Sequence, residues 1–452
     1  MKHLSLAIFS TAFIVSSAFS STLGSEIKEN SLIVYNGNLG LVHEERSLTL
    51  SKNDTNIVYD DVASSINTDS VNVKLPNSVK LYSQQYRFDK LTQAKLLDAH
   101  IGKKVEVKIL KDAKNFKTVS AILLSSSSSR CIVKTANSKI ITVNADDIIF
   151  KSIPNTLITK PSLVWNIETS KALSSKLELD YLINNISWKS DYILNISKNR
   201  ADLSGWITID NRSGKRFEST SLNVLAGELN MATPEMAYKQ VRRMAMAVSD
   251  AVPVSHKAVE GYHLYTIPFK VTLANNEKTQ LKFIDKRGIE INRTYSSQLS
   301  NPLYLRGESK HDVTQYINIK SLDIALPKGV VRTYSKETKQ SLLLGQSSLK
   351  HTPKDTPIKL KIGKNFDIKV TQRISARDDS KYQFNASVNY SVKNSSDEKK
   401  RVELLVPFNR HEDSKIKTTM PYSFQRGNII VYYVEVAANS TQEFSVKYVS
   451  KK

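Results

Sequence analysis

Apolar and polar residues alternate with a period of two along most of this chain, and this pattern constrains the fold more than any other feature. Clear runs cover residues 104–109, 176–182 and 382–392. Such alternation lets a β-strand bury one face and expose the other. Turn signals containing glycine and asparagine separate the runs, as at Asn36 and Gly37. The sequence therefore predicts an all-β protein with several antiparallel β-sandwich-like domains, a small SH3-like barrel and few short helices.

The spacing of the predicted strands divides the chain into five parts. Residues 1–20 precede the strands, and residues 21–87 form an N-terminal β segment. Residues 88–155 begin with a short helix that has Leu91, Ala94, Leu97 and Ile101 on one face and stops at Gly102. The small SH3-like β-barrel is predicted from the five short strands that follow, at 105–110, 119–124, 131–135, 140–143 and 148–150. Longer strands predict a β-sandwich over residues 160–300 and a C-terminal β-sandwich over residues 301–452, with a boundary near residues 296–312.

Residues 231–260 lack the alternation and are rich in alanine, methionine and valine. A helix over residues 234–249 would be only weakly amphipathic, because Arg242 and Arg243 interrupt its apolar side. One interpretation is a mobile, partly helical insertion between strands of the first sandwich. The alternative is a flexible basic and apolar arm that meets a membrane surface or a partner groove.

Residues 1–20 have the layout of a secretory signal peptide. Lys2 and His3 form a short basic region, residues 4–15 are mostly apolar, and small residues follow, so cleavage is expected after Ala18 or Ser20. The apolar run is shorter than the roughly 20 residues that span a bilayer, which favours a cleaved leader over an anchor. We therefore expect a protein of the periplasm or the extracellular space with no transmembrane span. A peripheral contact with a membrane is an alternative that the sequence also allows.

The charge indicates which partners are expected. The 452 residues include 65 Lys+Arg against 43 Asp+Glu, a formal net charge of +22. For an exported chain, the expected partners are envelope proteins or anionic surface polymers rather than nucleic acid. Several lysines alternate with apolar residues, at positions 359, 361, 364 and 369. We interpret them as a solvated strand face with edge lysines that prevent aggregation, and the alternative is a dedicated polyanion site.

No familiar catalytic motif occurs in the chain. The patterns GxSxG, GxGxxG and GxxxxGK[ST] are absent, and the histidines are far apart in the sequence. A single cysteine, Cys131, excludes an internal disulfide and a cysteine-rich zinc module. The sequence therefore predicts no catalytic residue, no cofactor-binding residue and no metal ligand.

The remaining polar and aromatic groups each have a structural interpretation beside a chemical one. The segment 410–413, which contains His411 and Glu412, is an exposed loop or a metal or acid/base site. Cys131 packs as a small hydrophobe or acts as a nucleophile. Three adjacent acidic pairs cap turns at strand ends or act as general acid and base; they are Asp60 with Asp61, Asp146 with Asp147, and Asp378 with Asp379. Neighbours on an extended chain point to opposite faces, which argues against the acid and base role. Trp165, Trp188 and Trp206 are core residues or a sugar platform.

Several sequence blocks, taken in order, resemble one bacterial family. They lie at residues 180–192, 201–211, 225–228, 261–268, 344–353 and 360–373. Together they are similar to the bacterial domain-of-unknown-function 4139 family, which is distantly related to mucoidy-inhibitor-like proteins. Residues 35–37 and 41–46 resemble the β segment that often precedes this domain. The resemblance implies export, a β-rich fold and an unassigned molecular activity, and it supplies no catalytic residues.

These observations favour an exported, non-enzymatic cell-envelope protein that binds proteins or polymers, or acts as a scaffold. One alternative is a carbohydrate-binding module that uses an aromatic face around the three tryptophans. A second is a cryptic hydrolase of cell-envelope glycans, in which a pocket would gather His411, or another histidine, with carboxylates.

Overall fold

The computed structural model describes residues 20–22, 27–110, 115–127, 129–154, 157–227, 255–259, 262–336, 340–408, 414–425 and 428–451. The all-β prediction is confirmed, since strands dominate these residues and most strand pairs are antiparallel. The one α-helix in these ranges is α1, Gln93–His100. It is too short to cross a membrane, and no described helix meets the length and apolarity that crossing requires.

The strands are numbered in chain order. The first thirteen are β1 Ser20–Thr22, β2 Ile27–Tyr35, β3 Leu39–Leu50, β4 Asn56–Tyr59, β5 Asn72–Lys74, β6 Val79–Arg87, β7 Lys104–Leu110, β8 Phe116–Ser126, β9 Arg130–Thr135, β10 Ile140–Asn144, β11 Ile148–Ile149, β12 Ser162–Thr169 and β13 Leu173–Asn184. The others are β14 Ile186–Ser197, β15 Arg200–Asn211, β16 Phe217–Ala226, β17 Ser255–Val259, β18 Tyr262–Thr266, β19 Val271–Leu273, β20 Glu277–Gln298, β21 Glu308–Ile319, β22 Gly329–Ser335, β23 Leu342–Leu349, β24 Ile358–Arg377, β25 Gln383–Asn394, β26 Lys400–Pro407, β27 Lys415–Lys417, β28 Tyr422–Gln425, β29 Ile429–Val436 and β30 Ser440–Lys451. Short 3-10 helices cover Thr68–Ser70 and Ala145–Asp147.

The chain forms two compact units, and neither is a continuous stretch of sequence. Unit 1 comprises Met1–Ser187, Asp210–Asn223 and Phe269–Glu277. Unit 2 comprises Trp188–Ile209, Val224–Pro268 and Lys278–Lys452.

In unit 1, β3 pairs antiparallel with β2 on one side and with β13 on the other. The turn predicted at Asn36 and Gly37 joins β2 to β3. Gly40 allows the Ile186 side chain to approach the backbone of β3 closely, because a Cβ atom at this position would lie 2.8 Å from Ile186 Cγ2. The inward side chains of these strands, such as Leu32 and Val42, are fully buried. Their burial removes apolar surface from water and stabilises the sheet.

A five-stranded sheet within unit 1 has the strand order β10-β9-β8-β7-β11. All five strands predicted between residues 105 and 150 are present, and their inward residues, including Val107, Leu123 and Cys131, form one core. The predicted helix is also present. Its N-cap Thr92 accepts a hydrogen bond from Lys95 N, and Leu97 is buried. Leu91 and Ile101, expected on the same face, are exposed.

In unit 2, β21, β24, β25 and β30 follow one another as antiparallel neighbours. Their inner face packs against β26 and β29 in a core that includes Tyr390, Tyr432 and Tyr448. The Tyr448 hydroxyl lies 2.8 Å from the hydroxyls of both other tyrosines. These buried polar groups are thus satisfied, as stable cores require.

Two predicted features lie partly outside the described residues. Of the insertion expected at residues 231–260, only β17 is described, and it pairs with β18 as a hairpin. The helix expected over residues 234–249 and the leader at residues 1–19 lie outside the described ranges. Around residues 296–312, where a boundary was expected, β20 and β21 pair with each other.

Candidate functional site

The outward side of β21, β24, β25 and β30 carries a regular lattice of polar residues. In one row, Thr371 pairs with Ser391, which pairs with Glu443. In the next row, Arg373 pairs with Asn389, and Asn389 pairs with Ser445. Paired residues point to the same side of a sheet. We name this surface the C-terminal polar face; it consists of Glu308, Lys310, Asp312, Lys369, Thr371, Arg373, Asn389, Ser391, Lys393, Lys417, Thr441, Glu443, Ser445 and Lys447.

A cleft of about 530 Å³ opens on this face. Two cross-strand hydrogen bonds order its floor. Ser391 Oγ donates to Glu443 Oε1 at 3.1 Å, and Ser445 Oγ donates to Asn389 Oδ1 at 2.8 Å. The cleft is lined by Glu308, Thr371, Arg373, Asn389, Tyr390, Ser391, Glu443, Phe444 and Ser445. It therefore combines hydroxyl, amide, carboxylate and guanidinium groups on a hydrogen-bonded sheet.

At two places on the C-terminal polar face, a lysine lies directly opposite another lysine on the neighbouring strand. Lys369 on β24 pairs with Lys393 on β25, and Lys447 on β30 pairs with Lys417 on β27. Like charges in such positions repel each other and destabilise the sheet. Lys447 lies six positions along β30 from Thr441, the residue opposite Lys393. At about 3.3 Å per residue, the lysine pairs lie roughly 20 Å apart on either side of the cleft.

Lys369 of β24 does not lie at a sheet edge. Because β24 has β21 on one side and β25 on the other, the edge-lysine interpretation is wrong for Lys369. Asp312 offsets part of the charge here. A hydrogen bond from Lys364 lowers the pKa of Asp312, and the nearby Lys369 lowers it further. Lys393 has Thr441 as its other neighbour.

Unit 1 contains a second cluster of charged groups, which is buried. Glu44 Oε2 lies 3.1 Å from Arg46 Nη2 and accepts a hydrogen bond from the Tyr59 hydroxyl at 2.7 Å. Glu44 Oε1 lies 2.6 Å from Lys215 Nζ. The Arg46 guanidinium stacks on the Tyr59 ring, 3.9 Å from its centroid, and donates to Asp60 Oδ1 at 3.1 Å. We name Glu44, Arg46, Tyr59 and Lys215 the buried ion cluster.

Electrostatics hold the Glu44 carboxyl in its charged form. Burial raises the pKa of Glu44, but Lys215 and Arg46 outweigh this effect, and its pKa lies below the usual value. Burial, followed by the neighbouring Glu44 carboxylate, raises the pKa of Tyr59, so the phenol stays protonated. Lys215 also donates to the Asp61 carbonyl.

Perturbed pKa values often mark active sites, but this cluster is closed to solvent. The side chains of Glu44, Arg46 and Lys215 are at most 1% exposed. A substrate cannot reach them in this structure. We assign the cluster a structural role: it fixes Glu44 of β3 to the Tyr59 hydroxyl and to the loop that contains Lys215.

A histidine and a carboxylate also meet on the sheet of unit 1. His43 Nδ1 lies 2.7 Å from Asp180 Oδ1, and Ser31 is the residue opposite His43 on β2. Among the side-chain hydrogen bonds of the described residues, none joins Ser31 to His43. The three residue types of a hydrolytic triad are thus adjacent, but the hydrogen-bonded relay that activates a serine is not formed.

The residues singled out from the sequence mostly have structural roles. Trp165 and Trp188 are buried, which excludes them from a sugar platform, and Trp206 is half-buried. Cys131 is buried in the five-stranded sheet, and burial raises the pKa of its thiol, so it packs as a small hydrophobe.

The acidic pairs are separated from one another. Asp60 and Asp61 lie beside the buried ion cluster, while Asp146 accepts a hydrogen bond from Gln93 and Asp379 from Arg377. The segment 410–413 with His411 and Glu412 lies outside the described residues. Within the described ranges, no group of three histidine, cysteine or acidic residues is placed to hold a metal ion.

Comparison with known proteins adds no assignment. No family model matches this chain, and no curated protein matches it. A function therefore has to be inferred from the chemistry of its surfaces.

Proposed function

We propose that this chain is an exported, non-enzymatic cell-envelope protein that binds an anionic polymer on its C-terminal polar face. The observation that supports this proposal best is the placement of two like-charged lysine pairs on either side of the cleft. An anionic group between two opposed lysines converts their repulsion into attraction. The polymer thus relieves an unfavourable feature of the free protein.

The groups between the lysine pairs suit a hydroxylated chain. Thr371, Ser391 and Ser445 can each donate and accept hydrogen bonds, and Asn389 adds an amide. Arg373 can bind a carboxylate through two parallel hydrogen bonds. This combination fits an acidic polysaccharide better than a simple phosphate polymer, which has few hydroxyl groups.

The length of the site supports a polymer rather than a small ligand. The lysine pairs lie roughly 20 Å apart along the strands, a distance that an extended chain of several sugar units spans. Each contact is exposed and weak by itself. Several contacts on one chain add up, so that affinity rises with the length of the polymer.

Export is part of the same proposal. β1 pairs in parallel with residues 56–58 of β4. Cleavage after Ala18 leaves this strand whole, whereas cleavage after Ser20 removes its first residue. We expect the exported protein to begin at Phe19, which N-terminal sequencing of the periplasmic or secreted protein measures. A protein that is retained with Met1 in the cytoplasm would contradict export.

Polymer binding is tested with polygalacturonate as the acidic probe and dextran as the neutral one. The double variant Lys369→Ala, Lys393→Ala removes one lysine pair. We expect it to bind polygalacturonate about fivefold more weakly than wild type, a loss of about 1 kcal/mol. Isothermal titration calorimetry at low ionic strength gives the affinity, and added salt should weaken it.

The matched control is the double variant Lys359→Ala, Lys361→Ala, which removes two exposed lysines from the same strand. It has the same net charge as the test variant, and we expect it to bind nearly as wild type does. If both variants lose affinity equally, binding depends on net charge and the proposed site is wrong. Binding of dextran as tightly as polygalacturonate would also contradict the proposal.

A further inference from the structure

The five-stranded sheet of unit 1 has large apolar side chains on its outer face as well as in its core. Its inner face buries Val105, Val107 and Val133. Its outer face exposes Leu110, Phe116, Ile122, Leu124, Ile132 and Ile140, each between 39% and 65%. Single exposed apolar residues are ordinary, but a cluster on one face of a small sheet marks an interaction surface.

The strand register shows that lysines alternate with these apolar residues. Lys104 pairs with Ile122, which pairs with Lys134, and Lys134 pairs with Ile140. Ile132 lies two residues from Lys134 on β9 and is therefore diagonal to both isoleucines. We name Lys104, Ile122, Ile132, Lys134 and Ile140 the isoleucine–lysine face.

The other end of the outer face repeats this combination. Leu110 pairs with Phe116 at the end of the β7–β8 hairpin. The Lys108 ammonium lies 4.3 Å from the centroid of the Phe116 ring. An acidic residue on β7, Glu106, pairs with Lys151 at 2.8 Å. Apolar groups and unneutralised cations thus extend along the sheet.

The partner must complement both features. Residues 88–155 contain 12 lysines and arginines against 6 acidic residues, so the surroundings are positive. Protein interfaces concentrate apolar residues in a centre that is depleted of lysine and surrounded by a polar rim. Here the lysines stand between the isoleucines. A lysine can lay its apolar stem along lipid while its ammonium group stays among the headgroups.

We propose that the isoleucine–lysine face lies against the surface of a bilayer that contains anionic lipids. The isoleucines enter the boundary between headgroups and acyl chains, and Lys104 and Lys134 bind the headgroup phosphates. Apolar burial and electrostatic attraction act together in such peripheral binding. This surface is separate in sequence from the C-terminal polar face and goes beyond polymer binding.

Co-sedimentation with vesicles tests this assignment on the protein in its exported form. Vesicles of phosphatidylcholine with one quarter phosphatidylglycerol should bind the wild-type protein, and vesicles of phosphatidylcholine alone should bind it at least about tenfold more weakly. The variant Ile122→Ser, Ile140→Ser should lower the partition coefficient about tenfold on anionic vesicles. The variant Lys104→Gln, Lys134→Gln should lower it to a similar extent, as should about 0.5 M salt, at which the Debye length is about 4 Å.

Two matched variants keep the test specific. Leu342→Ser, Leu343→Ser removes two exposed leucines from unit 2 and should leave vesicle binding unchanged. Lys369→Ala, Lys393→Ala should also bind vesicles as wild type does, although it binds polygalacturonate more weakly. Thermal unfolding of every variant checks that it is folded.

Three results would overturn the lipid assignment. The first is equal binding to both kinds of vesicle. The second is vesicle binding that survives the isoleucine substitutions but disappears with Lys369 and Lys393. The third is a dimer that the isoleucine substitutions dissociate while the wild type ignores vesicles, because a second copy of the chain would then occupy the face.

Discussion

Lys215 and Glu44 form an ion pair inside unit 1, with Nζ 2.6 Å from Oε1 and both side chains at most 1% exposed. Two residues that are 171 positions apart in the sequence thereby fix a loop to a strand. A buried charge without a partner costs several kcal/mol, so each residue offsets the free-energy cost of burying the other.

The first prediction concerns the loss of one partner. We expect Lys215→Met to lower the free energy of unfolding by about 3–5 kcal/mol, because Glu44 then stays buried without its closest cation. Urea titration followed by circular dichroism measures this loss. The matched control is Lys74→Met, which breaks an exposed pair with Glu178 at 2.8 Å. That change should lower the free energy of unfolding far less, because an exposed ion pair contributes little to stability. Equal losses in both variants would show that burial of the Lys215 pair adds nothing.

The second prediction concerns acid. The pKa of Glu44 in the folded protein is lowered, because Lys215 and Arg46 outweigh the effect of burial. A carboxyl group of this kind stabilises the fold above its unfolded pKa of about 4.3 and loses that contribution as the pH falls through its folded pKa. The free energy of unfolding of wild type should therefore fall more steeply below about pH 4.3 than that of Glu44→Gln. Parallel curves for the two proteins would refute the assignment.

The third prediction concerns Gly214, which precedes Lys215 in its loop. Its φ is +81°, and an added Cβ would collide with the Ser64 side chain. We expect Gly214→Ala to destabilise the protein by about 1–3 kcal/mol, through backbone strain and this collision. Gly37→Ala is the control, because nothing lies within 4 Å of that position. It should change the stability by less than about 0.5 kcal/mol. Thermal and urea unfolding compare the two, and similar losses would argue against a special role for Gly214.

The fourth prediction separates binding from stability on the C-terminal polar face. Lys393→Ala removes the repulsion from Lys369, and we expect it to raise the free energy of unfolding by about 0.2–0.5 kcal/mol. The same variant should bind polygalacturonate more weakly. Lys361→Ala, on the strand next to β25, serves as the control and should change neither quantity. A Lys393→Ala protein that is less stable than wild type would remove the argument from like-charge pairs.

The sequence alone predicts the strands because their alternation follows directly from burial of one face. It also contains an overlooked sign of the buried ion cluster. Val42, Glu44, Arg46 and Leu48 have the same parity along β3, so an inward-facing valine and leucine place the two charged residues inward as well. The partner Lys215 could not be predicted, since nothing local connects it to β3.

The C-terminal polar face could not be predicted for a different reason. The pairing of Lys369 with Lys393 depends on the register of β24 against β25, and an irregularity near Ile374 shifts that register. One extra residue in a strand changes which side chains are opposite each other. Composition reveals the excess of lysine, but only the register shows which lysines repel.

The division of the chain between the two units has a consequence for inheritance. The segments of the two units alternate along the sequence. Residues 210–223 and 269–277 belong to unit 1, whereas the residues on both sides of each segment belong to unit 2. No single cut yields either body complete. A single recombination event between two genes therefore cannot transfer one complete unit to another protein, and the two units are inherited together.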